Sequence, residues 1–255
     1  MKVIFHHDGT QWEADLDAGI DLSVPVSGAG SGVLAWGLKP AEITPHREGD
    51  YVGSVREGAS VNFNDISFNP HAHGTHTECL GHITPAAESL WNNPPPSWLV
   101  ATLISIEPVV EGTGRVVSQE QLEKALPAPV SKAVILRTLP NPEAKKHTDH
   151  SGTNPPCLEP KGVGWLRDQG VEHLLLDLPS VDPEADGGAL AAHKEFWGLP
   201  GNRRPEATIT EFIFVPDSLK DGKYLLNLQV AAFDNDACPS RPLVFPLVKM
   251  AQQQA

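Results

Sequence analysis

Apolar, β-branched runs bounded by glycine and proline recur at residues 2–5, 99–106, 133–138, 171–178, 208–215 and 224–233, and they predict strands. Three segments between them carry helix signals. Residues 118–126 (SQEQLEKAL) place Ser118 and Gln121 at capping-box spacing and set Leu122, Ala125 and Leu126 on one face. In 160–169, Pro160 suits a first helical position and Gly170 a C-terminal stop, while 188–197 is closed by Gly198. The helices are too sparse for a regularly alternating parallel sheet. The pattern therefore predicts an α/β fold: a single domain over 1–255, its core at about 20–248, with a mixed β-sheet and packed helices. Residues 140–156 form a polar, proline-rich connection, and a loop of that length in a compact domain is functional or mobile, which makes it a candidate lid.

Composition narrows the function classes. The chain has 255 residues, enough for one domain with a sizeable core. Acidic residues outnumber basic ones 32 to 19, and the formal charge of −13 argues against nucleic acid and anionic membrane surfaces as partners. No stretch approaches the roughly 18 apolar residues of a spanning helix. The start, MKVIFHHDGT, lacks a signal-peptide core, so a cytoplasmic address is expected. Three distant cysteines, Cys79, Cys157 and Cys238, read as reduced thiols, and 22 glycines with 24 prolines imply much loop.

The densest chemistry lies in residues 71–82 (HAHGTHTECLGH), with four histidines and a glutamate within 12 positions. If the backbone is extended after Gly74, His76, Glu78 and His82 share one parity and Cys79 the other. Imidazoles beside a carboxylate suit Zn²⁺ or Mn²⁺. His71 or His73 joins them only if the Gly74-Thr75 step turns, which glycine permits. Strand alternation places Glu211 on the face of Ile209, Ile213 and Val215, where an ionised carboxylate needs a cation or strong hydrogen bonds. His193 falls in the third helix, and Asp177 to Asp182 end a strand where α/β folds often carry functional groups. His147 and His150 read as surface residues of the long loop. Trp36, Trp91, Trp98 and Phe68 read as core rather than as an aryl pocket.

These residues resemble the metal-dependent cyclase family, which includes bacterial kynurenine formamidases and isatin hydrolases and whose signature is H-x-G-T-H-x-D-x-P-x-H. Gly74-Thr75-His76 matches its G-T-H, Glu78 stands at its metal-binding aspartate, and His82 matches its last histidine. Ile20-Asp21-Leu22-Ser23, Leu136-Arg137-Thr138, Pro179-Ser180-Val181-Asp182 and Thr210-Glu211 extend the likeness along most of the chain. Three departures stand out: Ala72 occupies the position of the first histidine, Glu78 is one methylene longer than aspartate, and Leu80 replaces proline. The role of the first histidine passes to His71 or His73, and His71 is favoured because a turn beside Gly74 absorbs one residue.

The resemblance implies a swivelling β/β/α fold and a homodimer or homotetramer. It also implies one or two Zn or Mn ions per chain, held by His71, His76, Glu78 and Glu211, with His82 and His193 as catalytic residues. The function expected is hydrolysis of an amide, formamide or lactam C–N bond of a small molecule, kynurenine formamide being one candidate. The nucleophile would be metal-bound hydroxide, with the water pKa brought from 15.7 towards about 7, and His82 would be the general acid/base. The rivals are a metal-dependent cyclase or lyase acting through an enolate and a non-catalytic metal- or ligand-binding protein.

Overall fold

A computed structural model describes residues 1–250 apart from Ala29 and Ala87. Eleven strands build its main sheet: β1 (Lys2–His7), β2 (Thr10–Asp15), β3 (Ile20–Asp21), β4 (His76–Glu78), β5 (Trp98–Ile106), β6 (Ala133–Thr138), β7 (His173–Leu176), β8 (Thr208–Glu211), β9 (Gly222–Asn227), β10 (Ala237–Pro239) and β11 (Leu243–Lys249). Their order is β1-β2-β11-β9-β5-β6-β7-β8-β4-β10, with β3 paired to β11. The sheet is mixed. Strands β5 to β8 run parallel, and β9 and β4 flank them antiparallel.

Helices α1 (Gln119–Ala125), α2 (Pro160–Asp168) and α3 (Ala191–Phe196) connect the four parallel strands in turn. Leu122, Val163, Leu166 and Phe196 from these helices pack with Ile104, Val134, Leu136, Leu174, Leu176 and Ile209. On the opposite face Ala101, Leu103, Ala133, Ile135 and Leu175 pack with Leu22, Leu226 and Val244. Burial on both faces explains why β5, β6 and β7 read as nearly unbroken apolar runs rather than as alternating ones.

Local signals set the boundaries. Ser118 and Gln121 close a capping box on α1, and Pro160 opens α2. The third helix starts at Ala191 rather than 188, because Leu190 is left-handed (φ 48°) and Asp186 holds the amides of Gly188 and Leu190 in a turn. β8 stops at Glu211, since Phe212 takes φ 55° and Ile213 moves off to bridge Ser23. The expected face is thereby corrected: Ile209 packs on the helix side, whereas Ile213 and Val215 pack on the other.

The connection 140–156 is tied to the body of the fold at several points. Lys145 Nζ lies 2.7 Å from Asp177 Oδ2 and 2.9 Å from Thr138 Oγ1. Leu34 donates to the Thr148 carbonyl, and His150 donates back to that of Leu34. Nor are the three tryptophans named above core: Trp36, Trp91 and Trp98 are exposed, and Trp36 Nε1 donates to the His71 carbonyl at 2.9 Å. Among the described residues no helix is long and apolar enough to cross a membrane.

Candidate metal centre

Strand β4 lies between β8 and β10, antiparallel to both, so His76 faces Glu211 across one ladder and Pro239 across the other, while Glu78 faces Ile209 and Ala237. The two-residue period turns His76 and Glu78 to one side of β4 and Thr77 to the other, where its hydroxyl meets that of Thr210 at 2.8 Å. Ahead of the strand, Gly74 takes φ 112°, and a Cβ there would stand 2.9 Å from the Val24 carbonyl oxygen. Only glycine fits this turn, which folds His71 back over the strand. After the strand, a 3₁₀ turn at Leu80–Ile83 brings His82 back over Glu78, and α3 delivers His193.

Glu78 is the hub of the cluster. Its Oε2 lies 3.1 Å from His71 Nδ1 and 3.8 Å from His82 Nε2, and its Oε1 lies 3.0 Å from His193 Nε2. His76 Nε2 is 3.4 Å from Glu211 Oε2. Each imidazole turns its other nitrogen outward to an acceptor: His76 Nδ1 to the Gly74 carbonyl at 3.2 Å, His193 Nδ1 to Asp182 Oδ2 at 2.6 Å, and His71 Nε2 to Asp236 Oδ2 at 2.9 Å. His82 Nδ1 is 3.5 Å from the same Asp236 oxygen.

All six site residues expected from sequence, His71, His76, Glu78, His82, His193 and Glu211, thus meet in one place. His73 does not join them. Its Nε2 donates to the Lys39 carbonyl at 2.8 Å and its Nδ1 accepts from the Asn69 amide, which uses both nitrogens structurally. His147 is exposed and bonded to the Ser31 carbonyl, and His150 packs against Phe212. Sequence reasoning missed Asp236. Nothing but a carboxylate in the polar loop before β10 announces it, since His71 is 165 residues away in the chain.

Glu78, Glu211, His76 and His193 are buried, so charge here depends on partners. Burial opposes ionisation of Glu78, but His82, His193 and His71 hold its carboxyl well below the usual range. Burial likewise opposes the charged form of His193, yet Asp182 and Glu78 push it up to about 10. For His71 the same opposition is overcome by Asp236 and Glu78, again to about 10. Glu211 moves upward, because burial and the charge of Glu78 outweigh His76.

His76 Nε2, Glu78 Oε2 and Glu211 Oε1 are buried without an aligned hydrogen-bond partner. Such orphaned atoms cost about 1–3 kcal/mol each unless something satisfies them. Nitrogen and carboxylate oxygen donors of this kind fit a divalent cation. Ligand atoms of His71, His76 and Glu78 lie within 4.8 Å of one another, as do those of Glu78, His82 and His193.

The Cyclase family matches residues 20–183 of the chain. A kynurenine formamidase of Bacillus anthracis is 27% identical over 229 residues, 89% of this chain and 97% of that protein. In fold, the chain is similar to isatin hydrolase A from Labrenzia aggregata bound to benzyl benzoate, with a TM-score of 0.63, 12% identity and coverage of 89% and 93%. It is also similar to a structure described as a potential metal-dependent hydrolase with cyclase activity, with a TM-score of 0.62, 14% identity and coverage of 89% and 98%.

Proposed function

Since the chain belongs to the Cyclase family, we propose that it is a metal-dependent hydrolase of the amide, formamide or lactam C–N bond of a small molecule. One observation carries this reading. A buried carboxylate hub is ringed by imidazoles, with unpartnered nitrogen and oxygen atoms among them. The name of its formamidase relative points to formamides first.

His71, His76 and Glu78 would hold the ion, with Glu211 completing the set if a second is bound, and Zn²⁺ or Mn²⁺ suits these donors. The chemistry such an ion supplies when bound is Lewis acidity, which polarises a carbonyl and makes water ionise near neutral pH. His82 is less buried than His76, Glu78, His193 or Glu211, and its Nε2 stands 3.8 Å from Glu78, against 3.1 Å for His71 Nδ1 and 3.0 Å for His193 Nε2. This nitrogen is free to take a proton from the attacking water and return it to the leaving nitrogen. His193, whose ring centroid is 5.4 Å from that of His82, is gripped by Asp182 and Glu78 and keeps the hub carboxylate oriented. The same reading includes a cytoplasmic address and a homodimer or homotetramer.

The test is elemental analysis after reloading with Zn²⁺ or Mn²⁺, followed by turnover on formamide, lactam and ester substrates in H₂¹⁸O. The His82→Ala variant is expected to keep its metal and lose turnover, and His76→Ala to lose both. Full activity in either variant, or a product without solvent oxygen, overturns the assignment.

A further inference from the structure

Asp236 lies outside the residues that carry the family likeness, yet it touches two of the site's histidines. Its place is set by backbone: Cys79, the residue after Glu78, donates its amide to the Asp236 carbonyl at 2.9 Å, and the next residue, Ala237, pairs with Glu78 across the β10–β4 ladder. The loop is thus anchored to the end of the strand that bears the hub. From there Oδ2 accepts from His71 Nε2 at 2.9 Å and stands 3.5 Å from His82 Nδ1. The two rings lie against each other, centroids 4.2 Å apart and 31° between planes.

We propose that Asp236 is a positioning residue that orients His71 and His82 together, a role that rests on the metal-hydrolase reading above. Half a turn about the Cβ–Cγ bond of an imidazole puts the ring carbons Cδ2 and Cε1 where Nδ1 and Nε2 stood, so a ligating ring needs something to hold its orientation. With Nε2–H held by Asp236, His71 has one arrangement left, in which Nδ1 faces Glu78 and His76. Such outward carboxylate partners fix the tautomer and raise the basicity of a ligating histidine. The same oxygen draws His82 Nδ1 outward and leaves Nε2 as the nitrogen that faces Glu78. One side chain therefore serves both the residue that holds the ion and the residue that moves the proton.

Zn²⁺ affinity measured by competition with a chromophoric chelator, on wild type, Asp236→Asn and Asp236→Ala, tests this, with thermal unfolding of the metal-free proteins alongside. Asp236→Ala is expected to bind Zn²⁺ about 10–100-fold more weakly and, at saturating Zn²⁺, to lose kcat with little change in KM. Asp236→Asn, which keeps an acceptor oxygen and the shape of the side chain, is expected to fall between. In ¹H NMR of the metal-free proteins, the hydrogen-bonded His71 ring proton should vanish in the alanine variant and persist in the asparagine variant. Wild-type affinity and kcat in Asp236→Ala, or an unaltered His71 ring proton, overturn the role of Asp236. Failure of the wild-type protein to take up Zn²⁺ would instead overturn the metal reading on which it rests.

Discussion

His173 and His193 are hidden almost equally, at 1% and 2% exposure, and they are opposite in character. His173 opens β7 at its amino end, where its Nδ1 meets the Thr208 hydroxyl at 2.9 Å, and burial pushes it down to about 4. His193 sits beyond the carboxyl end of the same strand, between Asp182 and Glu78, which drive it up to about 10 against the same penalty. A buried histidine with a hydroxyl for company stays neutral, whereas one between two carboxylates becomes a charged member of a site. The two ends of the parallel sheet differ in the same way. Glu211 ends β8, and Asp177 and Asp182 follow β7, so these buried acids lie at the carboxyl ends of the parallel strands, which is where α/β sheets place their ligands.

Removing the charge that separates these two environments should have the largest effect. Glu78→Gln takes away the hub, and kcat/KM is expected to fall by at least about 10³-fold, the several kcal/mol that metal-assisted charge stabilisation supplies. Steady-state kinetics with metal content measured in parallel reads the loss, and unchanged turnover would take Glu78 out of the chemistry.

The neutral histidine is sharpened by acid. Because the folded pKa of His173 lies below the unfolded value near 6.5, the unfolded chain binds a proton that the folded chain refuses. Stability is therefore lost as pH falls from about 6.5 to about 4, by about 3 kcal/mol from this group. Urea unfolding at pH 7, 5.5 and 4 should show a flatter acid limb in His173→Gln, which retains a partner for Thr208; parallel limbs would assign the acid loss to other groups. A smaller effect is expected from Asp182→Asn, which loosens His193 without removing it. Turnover should drop about 10–100-fold, and an unaltered rate would mean that Glu78 alone holds the ring.

The parts that local periodicity governs were legible in the sequence. The two-residue alternation sets His76 and Glu78 on one face, and the capping box at Ser118 marks α1. Alternation failed at Phe212, where a left-handed residue reverses the faces and separates Glu211 from Ile213. That Glu211 lies directly across from His76 is a matter of strand register, which no local pattern encodes. Asp236 was invisible for a similar reason, because its importance comes from a ladder pairing β10 with β4 across more than 150 residues of chain. The choice between His71 and His73 turned on a single backbone torsion at Gly74, which the sequence permits but does not specify.

Asp182 has a second set of contacts. Besides gripping His193 Nδ1, its carboxylate accepts from the amides of Ala192 (2.7 Å) and His193 (3.1 Å), the first turn of α3. A helix of six residues does not persist in water by itself. Its start is held by an acid whose own ionisation is favoured by the histidine that the helix presents. Fraying of α3 consequently withdraws His193 from both Asp182 and Glu78, so local unfolding of this short helix reaches the hub carboxylate directly.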